Sequence, residues 1–266
     1  MIANFLLRPF GIDIFCTGKK FLVYNMVGRN LKVKYRRSVL GVLWTLLSPL
    51  SLVGIYYFVF KVILKVDSPN YLAYLVSGIL PWAFFSQSVM EGMESISGNA
   101  NLISKIPVPL QVFPLVGTAT NFVTLIIAVP IMIGVALVSG IHLGPSLLAL
   151  PLFLGVIALI GYAAALILGL LFVYFQDLRH ITALLIQLWF YGTPVLYRAE
   201  MIPHQYKFLI YLNPIGSAIV SIHEILSNGA WPDGKHFVAS IFWAIFSMFV
   251  ALVVFKFSSQ DVAENL

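Results

Sequence analysis

The chain has 266 residues, 60% of them hydrophobic and only 10% charged, with a formal net charge of +6 and a mean hydropathy of +0.96. A soluble globular protein carries about 25% charged residues, so less than half the usual charge is present to cover a water-facing surface. This balance excludes an ordinary cytosolic enzyme, a disordered chain and a nucleic-acid binder, and it places the protein in a membrane.

The first residues, MIANFLLRPFG, do not read as a secretory signal. The apolar run is short, Arg8 and Pro9 interrupt it, and no small-residue cleavage site follows, so the segment is expected to be retained. A single cysteine, Cys16, excludes an internal disulfide and any Cys-based zinc or iron–sulfur site. Eight of the 16 Lys and Arg residues precede residue 38. Beside a hydrophobic span, such a block marks the cytoplasmic side and contacts anionic lipid. Residues 1–38 are therefore expected to form a cytoplasmic N-terminal segment. Within it, from about Phe21 to Lys34, apolar residues recur at three- and four-residue steps among Asn25, Arg29 and Lys32. The pattern predicts an amphipathic helix in the membrane interface, with a solvated tail as the alternative.

Six apolar segments follow, close to or above the roughly 20 residues a membrane helix needs: Val39–Phe60, Tyr71–Met90, Leu110–Val138, Ser146–Tyr174, Ile181–Tyr197 and Phe237–Phe255. The expected fold class is thus an all-α integral membrane protein. Its six-span domain covers residues 39–257, and residues 258–266 form a tail. Six spans put both termini on one side. With that side cytoplasmic, eleven Lys and Arg lie inside and five outside, as the positive-inside tendency requires. The stretch from Arg198 to His236 is too apolar for a loop. Pro203, Asn213-Pro214 and Asn228-Gly229 cut it into pieces too short to span. It is predicted to form two short re-entrant or outer helices, or else helices lying on the surface.

Phosphate-cradling GxxxxGK[ST], metal-binding HExxH and nucleophilic GxSxG motifs are all missing. The spans hold no Asp, Glu or Arg, and Lys only near an end, which argues against an ion-coupled carrier. Glu91 and Glu94, three apart at the end of the second span, read as a solvated helix end or a docking surface. In the first span Gly41, Thr45, Ser48, Leu52 and Tyr56 fall on one helix face, and in the fifth Gln187 and Tyr191 share another. Polar groups are costly in lipid, so both faces should turn inward, where they either glue helices together or line a path. Tyr56, Tyr57, Trp189, Tyr191 and Tyr197 are placed to anchor the protein at the interface or to stack on sugar rings.

The segment YRRSVLGVLWTLLSPL (Tyr35–Leu50) resembles the entry to the first membrane helix of ABC-type permeases that export polysaccharides or polyol phosphates. SGILPWAFFSQSV (Ser77–Val89), NLISKIPVPLQVFPL (Asn101–Leu115), FVYFQDLRHI (Phe172–Ile181), WFYGTPVLY (Trp189–Tyr197) and YLNPIGSAIVSIHEI (Tyr211–Ile225) resemble further segments of that family in the same order. The resemblance implies a homodimer in a bacterial inner membrane, with two copies of a separate ATPase that holds ATP and magnesium. This chain would then bind no cofactor and catalyse no reaction. Thr45, Ser48, Tyr56, Gln187, Trp189, Tyr191 and Tyr197 would line the conduit. Tyr35, Arg36, Arg37, Leu40 and Gly41 would form its entrance and meet a lipid phosphate. Arg29, Lys32, Asn99, Asn101, Lys105, Ile106 and Pro107 would dock the ATPase. The implied cargo is a lipid-linked glycan, O-antigen first, then capsule or teichoic acid. A membrane-embedded glycosyl- or acyltransferase is the alternative from another class.

Overall fold

A computed structural model describes residues 19–36, 43–66, 69–105 and 108–264. Arg37, Leu40, Gly41, Ile106 and Pro107, with the first eighteen residues, lie outside the described residues. All regular elements among the described residues are helical.

Helix α1 (Lys19–Lys34) is the expected N-terminal helix, extended by two residues. Its Leu22, Val23, Met26 and Val27 pack on the start of α5 (Val112–Val138), while Phe21 and Tyr24 stay exposed. One face is thus held by packing rather than by lipid. Helix α2 (Leu43–Tyr57) continues as a π-helical turn, Phe58–Ile63. Helix α3 (Tyr71–Glu94) is the axle of the fold, packed by α2, α5, α6 (Leu150–Phe172), α7 (Leu178–Gly192) and α9 (Gly216–Asn228). Burial on nearly all sides suits its sequence, because Phe84, Phe85, Val89 and Ile79 point in different directions around it. Small residues permit the closest approach. Gly92 faces Ala165 of α6 so tightly that a Cβ there would stand 2.5 Å from the alanine methyl, and Gly117 of α5 meets the same spot.

A short turn, with α4 (Ala100–Ile103), joins α3 to α5. Five-residue α8 (Phe208–Leu212) precedes α9 across a bend of 105°. Gly229 ends α9 at φ +67°, where a Cβ would meet the His142 carbonyl at 2.5 Å. Helix α10 (Gly234–Glu264) closes the chain and carries the sixth predicted span on into the tail.

Among the described residues five helices are long and apolar enough to cross a membrane, and six if the bent pair counts as one. This differs from the predicted set at the fifth segment. There the helix stops at Gly192 after 15 residues, about 22 Å at 1.5 Å per residue, short of the roughly 30 Å of a hydrocarbon core. The cause is local. Thr193 is extended, at φ −107° and ψ 139°, and Pro194 follows it.

Candidate functional site

A groove of about 410 Å³ runs between α2, α3 and α7. Ser48, Leu52 and Tyr56 come from α2, Gln187, Phe190 and Tyr191 from α7, and Trp82, Ser86, Gln87 and Met90 from α3. Tyr56 and Tyr191 both line it, one from α2 and one from α7. Phe190 fills the floor between Tyr56 and Trp82, with ring centroids 6.2 and 5.6 Å away. The wall therefore sets hydroxyl, amide and aromatic groups among aliphatic side chains such as Leu52, Ile79 and Ile186. Such a surface can hydrogen-bond a polyhydroxylated ligand and stack on its apolar C–H faces.

Of the residues read as conduit-lining, Ser48, Tyr56, Gln187 and Tyr191 meet in this groove. Thr45 turns toward α5 instead. Its hydroxyl is 3.5 Å from that of Tyr35, which is also 3.3 Å from Thr124. Trp189 is held away by Asn213, whose Oδ1 accepts from the indole N–H at 3.0 Å and from the backbone N–H groups of Ile215 and Gly216, both at 3.1 Å. The Asn213 amide in turn donates to Thr193 Oγ1 at 2.8 Å. This residue stitches the end of α7 to the turn before α9. The Tyr197 hydroxyl donates to the Tyr191 carbonyl at 3.2 Å, and Tyr197 is not among the residues that line the groove.

The loop after α7 is fastened to α3 by buried groups. Tyr74 donates to the carbonyls of Pro194 and Tyr197 at 3.0 and 2.6 Å. His223 of α9 stacks on the Tyr74 ring at 3.7 Å, and the Arg198 guanidinium lies 5.4 Å from that ring's centroid. A carbonyl cannot donate, so His223 Nε2 carries the proton toward Pro194 at 3.0 Å, and Nδ1 faces the Ser77 hydroxyl at 2.8 Å.

At the opposite end, which carries α1, Glu91 and Glu94 are paired and still partly exposed, as a solvated helix end would be. Lys34 donates to Glu91 and to Asn121, both at 2.9 Å, and Asn121 donates to the other Glu91 oxygen at 2.8 Å. Glu94 meets Arg179 of α7 at 3.0 Å. A second groove, about 360 Å³, opens beside this ring between α1, the end of α3 and α5, and Arg29 and Asn99 both line it. Lys32 lies on the other side of α1, with Arg36 and Tyr24. Asn101 and Lys105 are exposed on the turn before α5.

Sequence reasoning missed the contribution of α3 to the groove. Ile79, Trp82, Ala83, Ser86 and Met90 recur at helical spacing, and Ser86-Gln87 is the polar break in that apolar span. Asn121, buried in the third span, was the other available signal.

Residues 22–226 match the family described as ABC-2 type transporter. Two O-antigen export system permease proteins RfbA of Klebsiella pneumoniae are similar to the chain. One is 34% identical over 209 residues, 78% of this chain and 81% of that protein. The second is 32% identical over 248 residues, 92% and 95%. The protein of the same name from Myxococcus xanthus is 30% identical over 247 residues, with the same coverage.

Proposed function

Because the chain belongs to the ABC-2 type transporter family, we propose that it is the membrane-spanning permease subunit of an ATP-driven exporter that carries a lipid-linked polysaccharide, an O-antigen, out across the bacterial inner membrane. The relatives named for O-antigen export, at 30–34% identity over most of the chain, support this cargo. The observation that carries the reading is the groove in which Ser48, Tyr56, Gln87, Gln187 and Tyr191 gather from three helices. Helix glue has no need of hydroxyls, amides and aromatic faces gathered along a groove open on one side. Weak contacts repeated along such a wall let a long polymer move on instead of binding fast.

In this reading both termini are cytoplasmic. Helix α7, with the extended residues after it, serves as the fifth of six spans, and α8 and α9 form a re-entrant pair at the outer exit. Two copies of the chain face each other across their grooves. Two separate ATPase subunits, which hold ATP and magnesium, dock on α1 and on the turn that carries Asn99, Asn101 and Lys105. Arg36, beside Lys32 and Arg29 on α1, draws the lipid phosphate to the entrance.

The test is deletion and complementation in a cell that makes the lipid-linked polymer. Loss of the chain should leave polymer on the cytoplasmic side, and the native chain with its ATPase should return it to the surface. Normal surface polymer in the deletion strain would overturn the reading.

A further inference from the structure

The groove lacks any charge. None of its fifteen lining residues is Asp, Glu, Lys, Arg or His. Beside the Trp82 indole N–H, its polar groups are the hydroxyls of Ser48, Tyr56, Ser86 and Tyr191 and the carboxamides of Gln87 and Gln187. All six are neutral, and each both donates and accepts. The three contributing helices extend this neutrality well beyond the groove. Charge is missing from Leu43 to Phe60, from Tyr71 to Met90 and, on α7, from Ile181 to Gly192, or about 27, 30 and 18 Å of helix at 1.5 Å per residue. At the α1 end Lys34 pairs with Glu91 and Arg179 with Glu94, while Arg29, Lys32 and Arg36 lie on or next to α1, outside the groove. At the other end Lys61 and Arg198 stand beyond the groove.

We infer that the groove selects by charge: it passes glycan segments whose repeats are electrically neutral and resists those that carry a carboxylate or phosphate in every repeat. The inference rests on the export reading above. A neutral sugar exchanges water for hydroxyl and amide partners of the same kind and lays its C–H face on Trp82, Phe190 or Tyr56. A carboxylate loses hydration in the same place and finds no cation to replace it. A second copy facing the first adds the same uncharged residues, so pairing does not change the balance. The phosphate of the lipid carrier crosses once per polymer, whereas a charged repeat meets the barrier at every step.

The experiment uses the full chain with its ATPase in cells that lack another exporter. Two polymers are compared, built on one lipid carrier with the same length and terminal sugar. One has only neutral hexoses, and the other has a hexuronic acid in each repeat. Surface polymer is measured against polymer retained inside. The neutral polymer should be exported at least tenfold faster. Gln87→Lys, which places a cation on the wall, should raise the ratio of acidic to neutral export at least threefold, and Gln187→Lys should do the same from the facing helix. Equal export of both polymers by the native chain overturns the charge selection and leaves the permease reading standing. An unchanged ratio in a lysine variant that still exports the neutral polymer also overturns it. Export of neither polymer overturns the permease reading, and the selection with it.

Discussion

The ring of Lys34, Asn121 and Glu91 can close in only one way. An ammonium only donates and a carboxylate only accepts, so Asn121 must turn Oδ1 to Lys34 and Nδ2 to Glu91. Asn121→Leu keeps a similar volume in a site that is 1% exposed and removes two of the three bonds. Interhelical hydrogen bonds in membrane proteins are worth about 0.6 kcal/mol on average and up to about 1.7, so the expected loss is about 1–3 kcal/mol. The remaining Lys34–Glu91 pair adds little, because its side chains are 24% and 45% exposed and solvent screens them. Asn121→Asp is closer in shape, yet it replaces the amide donor aimed at the second Glu91 oxygen with an acceptor and sets two carboxylates face to face. It should therefore cost more than leucine. Reversible denaturation of the purified chain in mixed micelles, followed by tryptophan fluorescence, reads the order native, then Leu, then Asp. An aspartate variant as stable as the native chain, or a leucine variant within about 0.5 kcal/mol of it, would refute the idea that this ring holds α1 to α3 and α5.

Gly92→Ala should destabilise by about 1–3 kcal/mol, as overpacking does, because its methyl would stand 2.5 Å from that of Ala165. Adding Ala165→Gly should recover most of the loss in the same denaturation assay, and failure to recover would place the strain elsewhere. Asn213→Ala releases Trp189, Thr193 and two backbone N–H groups together. At roughly 0.5–1.5 kcal/mol per bond it should cost about 2–6 kcal/mol, with a shift in the Trp189 emission that Asn101→Ala does not produce.

The features that showed in the sequence are those governed by periodicity and by the cost of burying polarity. Spans two, three and four appear within a few residues of their expected places, because long apolar runs bounded by Asp67–Asn70, by Asn99–Pro109 and by Gly140–Pro145 leave little freedom. Ser48 with Tyr56, and Gln187 with Tyr191, were paired into faces by spacing alone, and the fold brings the two faces to one groove. Thr45 shares the first stripe but turns to Tyr35, because stripe geometry fixes a residue's direction and not which neighbour fills it. Trp189 reads as a lumen aromatic until Asn213, 24 positions away, claims its N–H. The pairing of Glu91 with Lys34 spans 57 positions and needs the packing of α1 on α5 to exist first. Long-range partners of this kind have no local signature.

The two ends of the bundle are fastened by different chemistry, and this has a measurable consequence. At the α1 end the ties between helices include two ion pairs on partly exposed side chains, with Arg179 and Glu94 at 61% and 38%. At the other end they are neutral hydrogen bonds and stacked rings around Tyr74 and His223, each 3% exposed. Salt screens the first kind strongly, since the Debye length falls from about 10 Å at 0.1 M to about 3 Å at 1 M, and leaves buried neutral contacts nearly unchanged. With the ATPase docked at the α1 end as proposed, the adjustable joints lie where it would push and the rigid ones at the proposed exit. Hydrogen exchange of the purified chain in lipid nanodiscs should therefore show α1 and the first turn of α7 losing protection as salt rises from about 0.1 to 1 M, with α9 unchanged. Equal loss in α9, or none in α1, would mean that the two ends are fastened alike and that charge has no part in which of them yields.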